Sequence, residues 1–109
     1  LKGTMPASVF SRSTECHNQD KVSMGTIASR DCIRVLELTE QVLSACLLAS
    51  VQALRLRMKS GELDASRLEP FKALFEQVDA AFPFLGPDRQ LESELRSTLA
   101  SVQSRHWKV

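Results

Sequence analysis

Six consecutive residues, Glu15-Cys16-His17-Asn18-Gln19-Asp20, concentrate the reactive side chains of this sequence. Five of them carry good hydrogen-bonding groups, and they immediately precede a long apolar stretch. A helix starting at that point offers free N–H groups and the positive end of its dipole, which suit carboxylates and other anions. Two readings of the cluster are open: a solvated loop that ends in a helix cap, or a hydrogen-bonding surface for a ligand. A cysteine–histidine dyad is disfavoured, because Cys16 and His17 are adjacent and neighbours in extended chain point to opposite sides. His106 reads as a surface residue, and its neighbour Trp107 as one that packs on the last helix or on another subunit. Three cysteines, Cys16, Cys32 and Cys46, stand at spacings of 16 and 14. That odd number and those spacings match no zinc pattern, so they read as reduced intracellular thiols and no metal is expected.

The element that must carry the cluster begins at Asp20, whose carboxylate suits a helix N-cap. Apolar or small residues then recur in steps of three and four, at Met24, Ala28, Cys32, Val35/Leu36, Val42/Leu43, Cys46/Leu47, Ala53/Leu54 and Met58. No proline interrupts the run. It closes on Arg55, Arg57 and Lys59, whose charges suit a helix C-terminus, and on Gly61 as the residue just beyond. Such a helix of about 38 residues is about 57 Å long, whereas a compact domain of this length is about 34 Å across. The part from Val42 to Leu54 is apolar nearly all round, so it requires burial on every side. The remaining residues are too few to wrap it. The helix therefore needs partners from elsewhere.

Residues 1–19 show no helical repeat and read as irregular chain, in which Met5, Val9 and Phe10 call for burial. After residue 60 two shorter helices are expected. One starts near Ser66 or Glu69 with the apolar face Phe71, Leu74, Phe75, Val78, Ala81 and Phe82, and ends at Pro83. Gly86-Pro87-Asp88 marks a turn. The last helix runs from about Gln90 to Ser104, with Leu91, Leu95, Leu99 and Val102 on one face. The sequence predicts no strand and no repeat. The fold class is all-α: an irregular segment 1–19, a long helix 20–60 and a helical hairpin with tail 61–109, together one part of a larger bundle.

Bulk composition narrows the partners. Fourteen Lys and Arg balance thirteen Asp and Glu, for a formal net charge of +1. The basic residues are scattered and form no stripe with aromatics, so neither nucleic acid nor an anionic membrane is expected. The longest uncharged run, Gln41 to Leu54, is too short to span a bilayer. With no signal peptide visible, the cytoplasm is the expected compartment. The chain starts at Leu1 rather than Met, which suggests a cut or truncated product, and it contains no tyrosine.

The run His17-Asn-Gln-Asp-Lys-Val-Ser-Met-Gly25 resembles a segment of the histidine, phenylalanine and tyrosine ammonia-lyase family and its aminomutase relatives. The similarity continues through Glu37-Leu-Thr-Glu-Gln-Val42 and Leu48-Ala-Ser-Val-Gln-Ala-Leu-Arg-Leu-Arg57, and returns at Phe82-Pro-Phe-Leu-Gly-Pro-Asp-Arg89. It covers nearly the whole chain, in the order the family shows near its C-terminus. The first segment is fairly specific; the others are weak alone.

The resemblance implies a homotetrameric, all-helical enzyme that converts an aromatic or imidazole amino acid into an α,β-unsaturated acid and ammonia. It implies an electrophilic methylidene-imidazolone formed from an internal Ala-Ser-Gly, and a tyrosine base on a mobile loop. This sequence holds neither, so it is expected to be inactive without the N-terminal part of such an enzyme. By motif position, Gln19 matches the place where histidine-specific members carry glutamate and phenylalanine- or tyrosine-specific members carry glutamine. Asn18 matches a residue that hydrogen-bonds near the substrate carboxylate and the electrophile. Glu15 matches an acid close to the substrate amino group, and reads equally well as a surface carboxylate. Asn18, Gln19 and Glu15 are thus the candidate substrate-binding residues, with none in this segment that is certainly catalytic. Arg89 is expected in a structural ion pair. Phenylalanine or tyrosine is the expected substrate. Histidine ammonia-lyase and 2,3-aminomutase activities are the alternatives within the family, and a non-catalytic helical interaction module is the alternative outside it.

Overall fold

A computed structural model describes residues 5–18 and 21–106, with Glu15 described by its backbone alone. The described residues are helical with no strand. There are three α-helices, α1 (Gly25–Lys59), α2 (Lys72–Ala81) and α3 (Glu92–Gln103); short 3-10 turns at Ala7–Phe10 and Glu15–His17 precede α1, and one at Ala65–Phe71 lies between α1 and α2. The chain divides into two compact units, Leu1–Thr39 and Glu40–Val109. Helix α1 gives its first part to one unit and its remainder to the other.

The long helix is 35 residues, about 52 Å at 1.5 Å per residue. It starts later than the apolar repeat suggests. The Ala28 N–H donates to the Met24 carbonyl, so Met24 sits at the cap position and not Asp20, which lies outside the described residues. Lys21 to Met24 instead run in irregular chain. Inside the helix, polar side chains satisfy themselves locally: the hydroxyls of Ser29, Thr39 and Ser44 donate to the carbonyls of Gly25, Val35 and Glu40 at 3.0, 2.8 and 2.7 Å. This back-bonding lets hydroxyls occupy an apolar helix without an orphaned donor. The end is as the sequence predicts. Gly61 takes φ +77°, and Glu62 N–H returns to the Arg57 carbonyl at 3.0 Å, a left-handed helix stop that favours glycine.

In the second unit a small core forms from Leu48 and Val51 of α1, Val78 of α2 and Phe82 just beyond it. Leu74, Phe75, Leu85, Leu91 and Leu95 pack around them. The second helix is split. Asp64, not Ser66 or Glu69, caps the 3-10 turn by accepting from the Ser66 N–H at 2.8 Å, and that bond lowers the Asp64 pKa. Pro70 lies within this turn, and the regular helix starts only at Lys72. Phe71 and Ala81 are consequently off the expected face; Phe71 is 63% exposed. Leu91, the N-cap of α3, and Leu95, Leu99 and Val102 on the helix are half-buried, while Thr98 is buried.

Two side chains of α1 hold the segment that follows α2. Gln52 clamps Leu85 through both backbone groups, donating to its carbonyl at 2.8 Å and accepting from its N–H at 3.1 Å. Arg55 reaches Asp79 and the Phe82 carbonyl. Further on, Arg89 forms an ion pair with Glu94 and lies over the Phe82 ring. The ion pair is the one the sequence reading expects. The Ser93 hydroxyl, 2.6 Å away, and the Arg89 guanidinium bring the Glu94 carboxyl down from 4.5 to about 2. A folded-state pKa below the unfolded one favours the fold at pH values above 4.5, and that contribution fades as pH falls towards 2. Carboxyl-carbon NMR titration of Glu94 is therefore expected to give a midpoint near 2, moving back towards 4.5 in Ser93→Ala and Arg89→Ala.

Large parts of α1 face outward. Ile27, Ile33, Val35, Leu36 and Leu38 in the first unit, and Val42 and Leu43 in the second, are exposed. Met5, Val9 and Phe10 are exposed as well, against the expectation that they find cover. Among the described residues no helix is long and apolar enough to cross a membrane. No group of three or more His, Cys, Asp or Glu side chains among them could hold a metal ion.

Candidate substrate-facing loop

The described part of the polar cluster, Cys16 to Asn18 with the Glu15 backbone, sits at the tip of a loop in the first unit. Its two arms are tied together at Val22, whose N–H donates to the Arg12 carbonyl at 3.2 Å. The Ser11 hydroxyl donates to the Val22 carbonyl at 2.5 Å. Between these ties the chain turns back through Glu15–His17 and Asn18.

The turn uses an uncommon backbone. Cys16 and His17 have φ of +52° and +68°, the left-handed region that disfavours residues with a Cβ. Each such residue costs about 1–2 kcal/mol, so two in succession require compensation. One source is visible: the Ser13 hydroxyl and His17 Nδ1 are 2.6 Å apart. The segment is thus not extended at Cys16-His17, and the argument from opposite-facing neighbours does not apply there. His17 nevertheless engages Ser13.

Asn18 follows at the tip and is exposed, which leaves its amide accessible to a group beyond the unit. Glu15 shares the same short turn by its backbone, while its side chain, Gln19 and Asp20 lie outside the described residues, as does Trp107. Cys16, Cys32 and Cys46 are free and exposed, and His106 is exposed. Sequence reasoning missed Ser13. A Ser–His spacing of four marks a contact only on a helix, and this segment is not one.

Residues 2–78 match the family described as aromatic amino acid lyase. A tyrosine ammonia-lyase of Cereibacter sphaeroides is 40% identical over 96 residues, 87% of this chain and 18% of that protein. A histidine ammonia-lyase of Natranaerobius thermophilus is 38% identical over 92 residues, 84% of this chain and 17% of that protein. An MIO-dependent tyrosine 2,3-aminomutase of Streptomyces globisporus is 38% identical over 91 residues, 83% of this chain and 16% of that protein. No solved structure shows a significant match. The chain thus spans less than a fifth of the length of these curated relatives. With a family match over most of its length and relatives of both ammonia-lyase and aminomutase type, the chain belongs to the aromatic amino acid lyase family.

Proposed function

We propose that this chain forms one wall of the active site of a carbon–nitrogen lyase that releases ammonia from phenylalanine or tyrosine in preference to histidine. The observation that carries the reading is Gln19, a neutral amide where histidine-specific members have a carboxylate. Beside a neutral aryl ring a carboxylate would be a poorly compensated charge, whereas beside an imidazole it finds a partner. Asn18 at the exposed tip supplies hydrogen bonds to the substrate carboxylate. Glu15 pairs with the substrate ammonium or shares its proton.

The residues present do not form the methylidene-imidazolone themselves. The chain has no Ala-Ser-Gly, and each of its Ala-Ser pairs lies within a helical element: Ser8, Ser29, Ser50, Ser66 and Ser101. Residues elsewhere in the enzyme supply that electrophile and the base, and these 109 residues alone turn over none of the substrates. The exposed apolar residues of α1 fit burial in a homotetrameric helical bundle. An open apolar groove of about 430 Å³ beside Ala45, Ala49, Ala53 and Leu56 also favours such an assembly. The exposed free thiols suit a reducing, cytoplasmic setting.

The test uses the full-length enzyme with phenylalanine, tyrosine and histidine, with ammonia and the unsaturated acid both measured. Release from phenylalanine or tyrosine with a kcat/KM at least tenfold above that for histidine is expected. A histidine preference overturns the substrate assignment, and a β-amino acid as main product identifies an aminomutase instead.

A further inference from the structure

We infer that Ser13 and His17 are positioning residues that hold the substrate-facing turn in its binding conformation; this rests on the functional reading above. Three observations converge on the pair. Cys16 and His17 occupy left-handed backbone in succession, at φ +52° and +68°. Neither is glycine, so the turn relaxes unless something holds it. The bonds at Val22 close the base of the loop but touch nothing at its tip. The Ser13 hydroxyl to His17 Nδ1 contact of 2.6 Å is one tie at the tip. It joins the near arm to the residue directly before Asn18. Fixing the His17 ring fixes the peptide between His17 and Asn18, and so the direction in which the Asn18 amide leaves the turn. His17 thus acts through Asn18 and does not itself need to touch substrate.

The consequence is a paired dependence. Losing either partner frees the same turn, so the two losses overlap instead of adding. A freed turn weakens substrate binding before it affects the bond-breaking step, because it disperses the groups that meet the substrate carboxylate.

Ser13→Ala, His17→Ala, the double variant and Ser13→Thr are compared with wild type in the full-length enzyme. Ser13→Ala and His17→Ala are each expected to raise KM about tenfold. The inhibition constant of the unsaturated acid product rises by the same factor, and kcat stays within threefold. The double variant matches the singles, and Ser13→Thr, which keeps the hydroxyl, stays near wild type. A merely structural role lowers kcat through loss of active protein and leaves KM and the inhibition constant unmoved; that result overturns the proposal, as do single effects that multiply in the double variant. Hydrogen exchange of the amides from Thr14 to Val22 gives a readout independent of turnover. Both single variants are expected to speed it about tenfold, and unchanged exchange refutes the tie. If wild type releases no ammonia from any of the three amino acids, the functional reading fails and the positioning role with it, while exchange still decides whether the tie exists.

Discussion

Gln19→Glu in the full-length enzyme is expected to lower kcat/KM for phenylalanine and tyrosine about 30- to 150-fold while leaving histidine within threefold or improving it. The magnitude follows from the cost of a charge. A carboxylate pressed against a neutral ring without a compensating partner costs about 2–3 kcal/mol, and each 1.4 kcal/mol is about tenfold in rate. An imidazole substrate offers the carboxylate an N–H donor or a cation, so the same substitution is compensated there. Part of the penalty can be relieved if the new carboxyl takes up a proton, since desolvation raises its pKa. The loss on neutral substrates should therefore be greater at pH 8.5 than at pH 6.5, and a pH profile of kcat/KM distinguishes this origin from simple misfolding. Gln19→Met removes the amide without adding charge and is expected to cost phenylalanine less than tenfold. Equal relative kcat/KM across the three substrates in wild type and Gln19→Glu would show that this position does not set substrate class.

Much of this molecule is legible in its amino-acid sequence, and the parts that are not share a cause. The long helix, its stop at Gly61 and the Arg89 ion pair follow from periodicity, from the one residue type at ease with φ +77°, and from charge placement. The helix start does not. Asp20 is a good cap by type, but capping is settled by where the preceding chain must go, and here Val22 is drawn back to Arg12 and Ser11. The second helix fails in the same way: Asp64 competes with Ser66 and Glu69, and the turn it nucleates carries Phe71 away from the core. Side chains that bond across distance, such as Gln52 to Leu85, have no local signature at all. For the candidate site, the motif nominates Asn18, Gln19 and Glu15 by type, while the left-handed turn before Asn18 and the Ser13–His17 contact that accompanies it are encoded by no periodic pattern.

The strongest structural dependence in the second unit should be Arg55, whose replacement by alanine is expected to destabilise the segment after α2 by about 3 kcal/mol. Its side chain is only 12% exposed. Nε donates to Asp79 Oδ1 at 2.5 Å, and Nη2 donates to the carbonyls of Asp79 and Phe82 at 2.8 and 2.6 Å. Those carbonyls stand at the C-terminal end of α2, where the helix dipole is negative and its last acceptors lack intrahelical donors. The guanidinium therefore caps α2, neutralises Asp79 and lies 5.5 Å from the centre of the Phe82 ring, which is itself core. Alanine leaves the Phe82 carbonyl and the Asp79 carboxylate without the Arg55 donor, and the Asp79 carbonyl with only the Phe82 N–H at 3.4 Å. The amide of Leu85, held by Gln52, reports on the segment directly. Its hydrogen exchange in Arg55→Ala should be about a hundredfold faster than in wild type, the equivalent of about 3 kcal/mol in local opening. Arg55→Lys keeps the charge but loses the fork that serves three acceptors at once, so an intermediate acceleration is expected. Asp79→Asn removes the ion pair and keeps both carbonyl contacts, which separates charge from capping: an effect well below that of Arg55→Ala assigns the greater share to the α2 carbonyls. Exchange at Leu85 within threefold of wild type in Arg55→Ala would mean that Gln52 and the Val78–Phe82 core hold the segment without it.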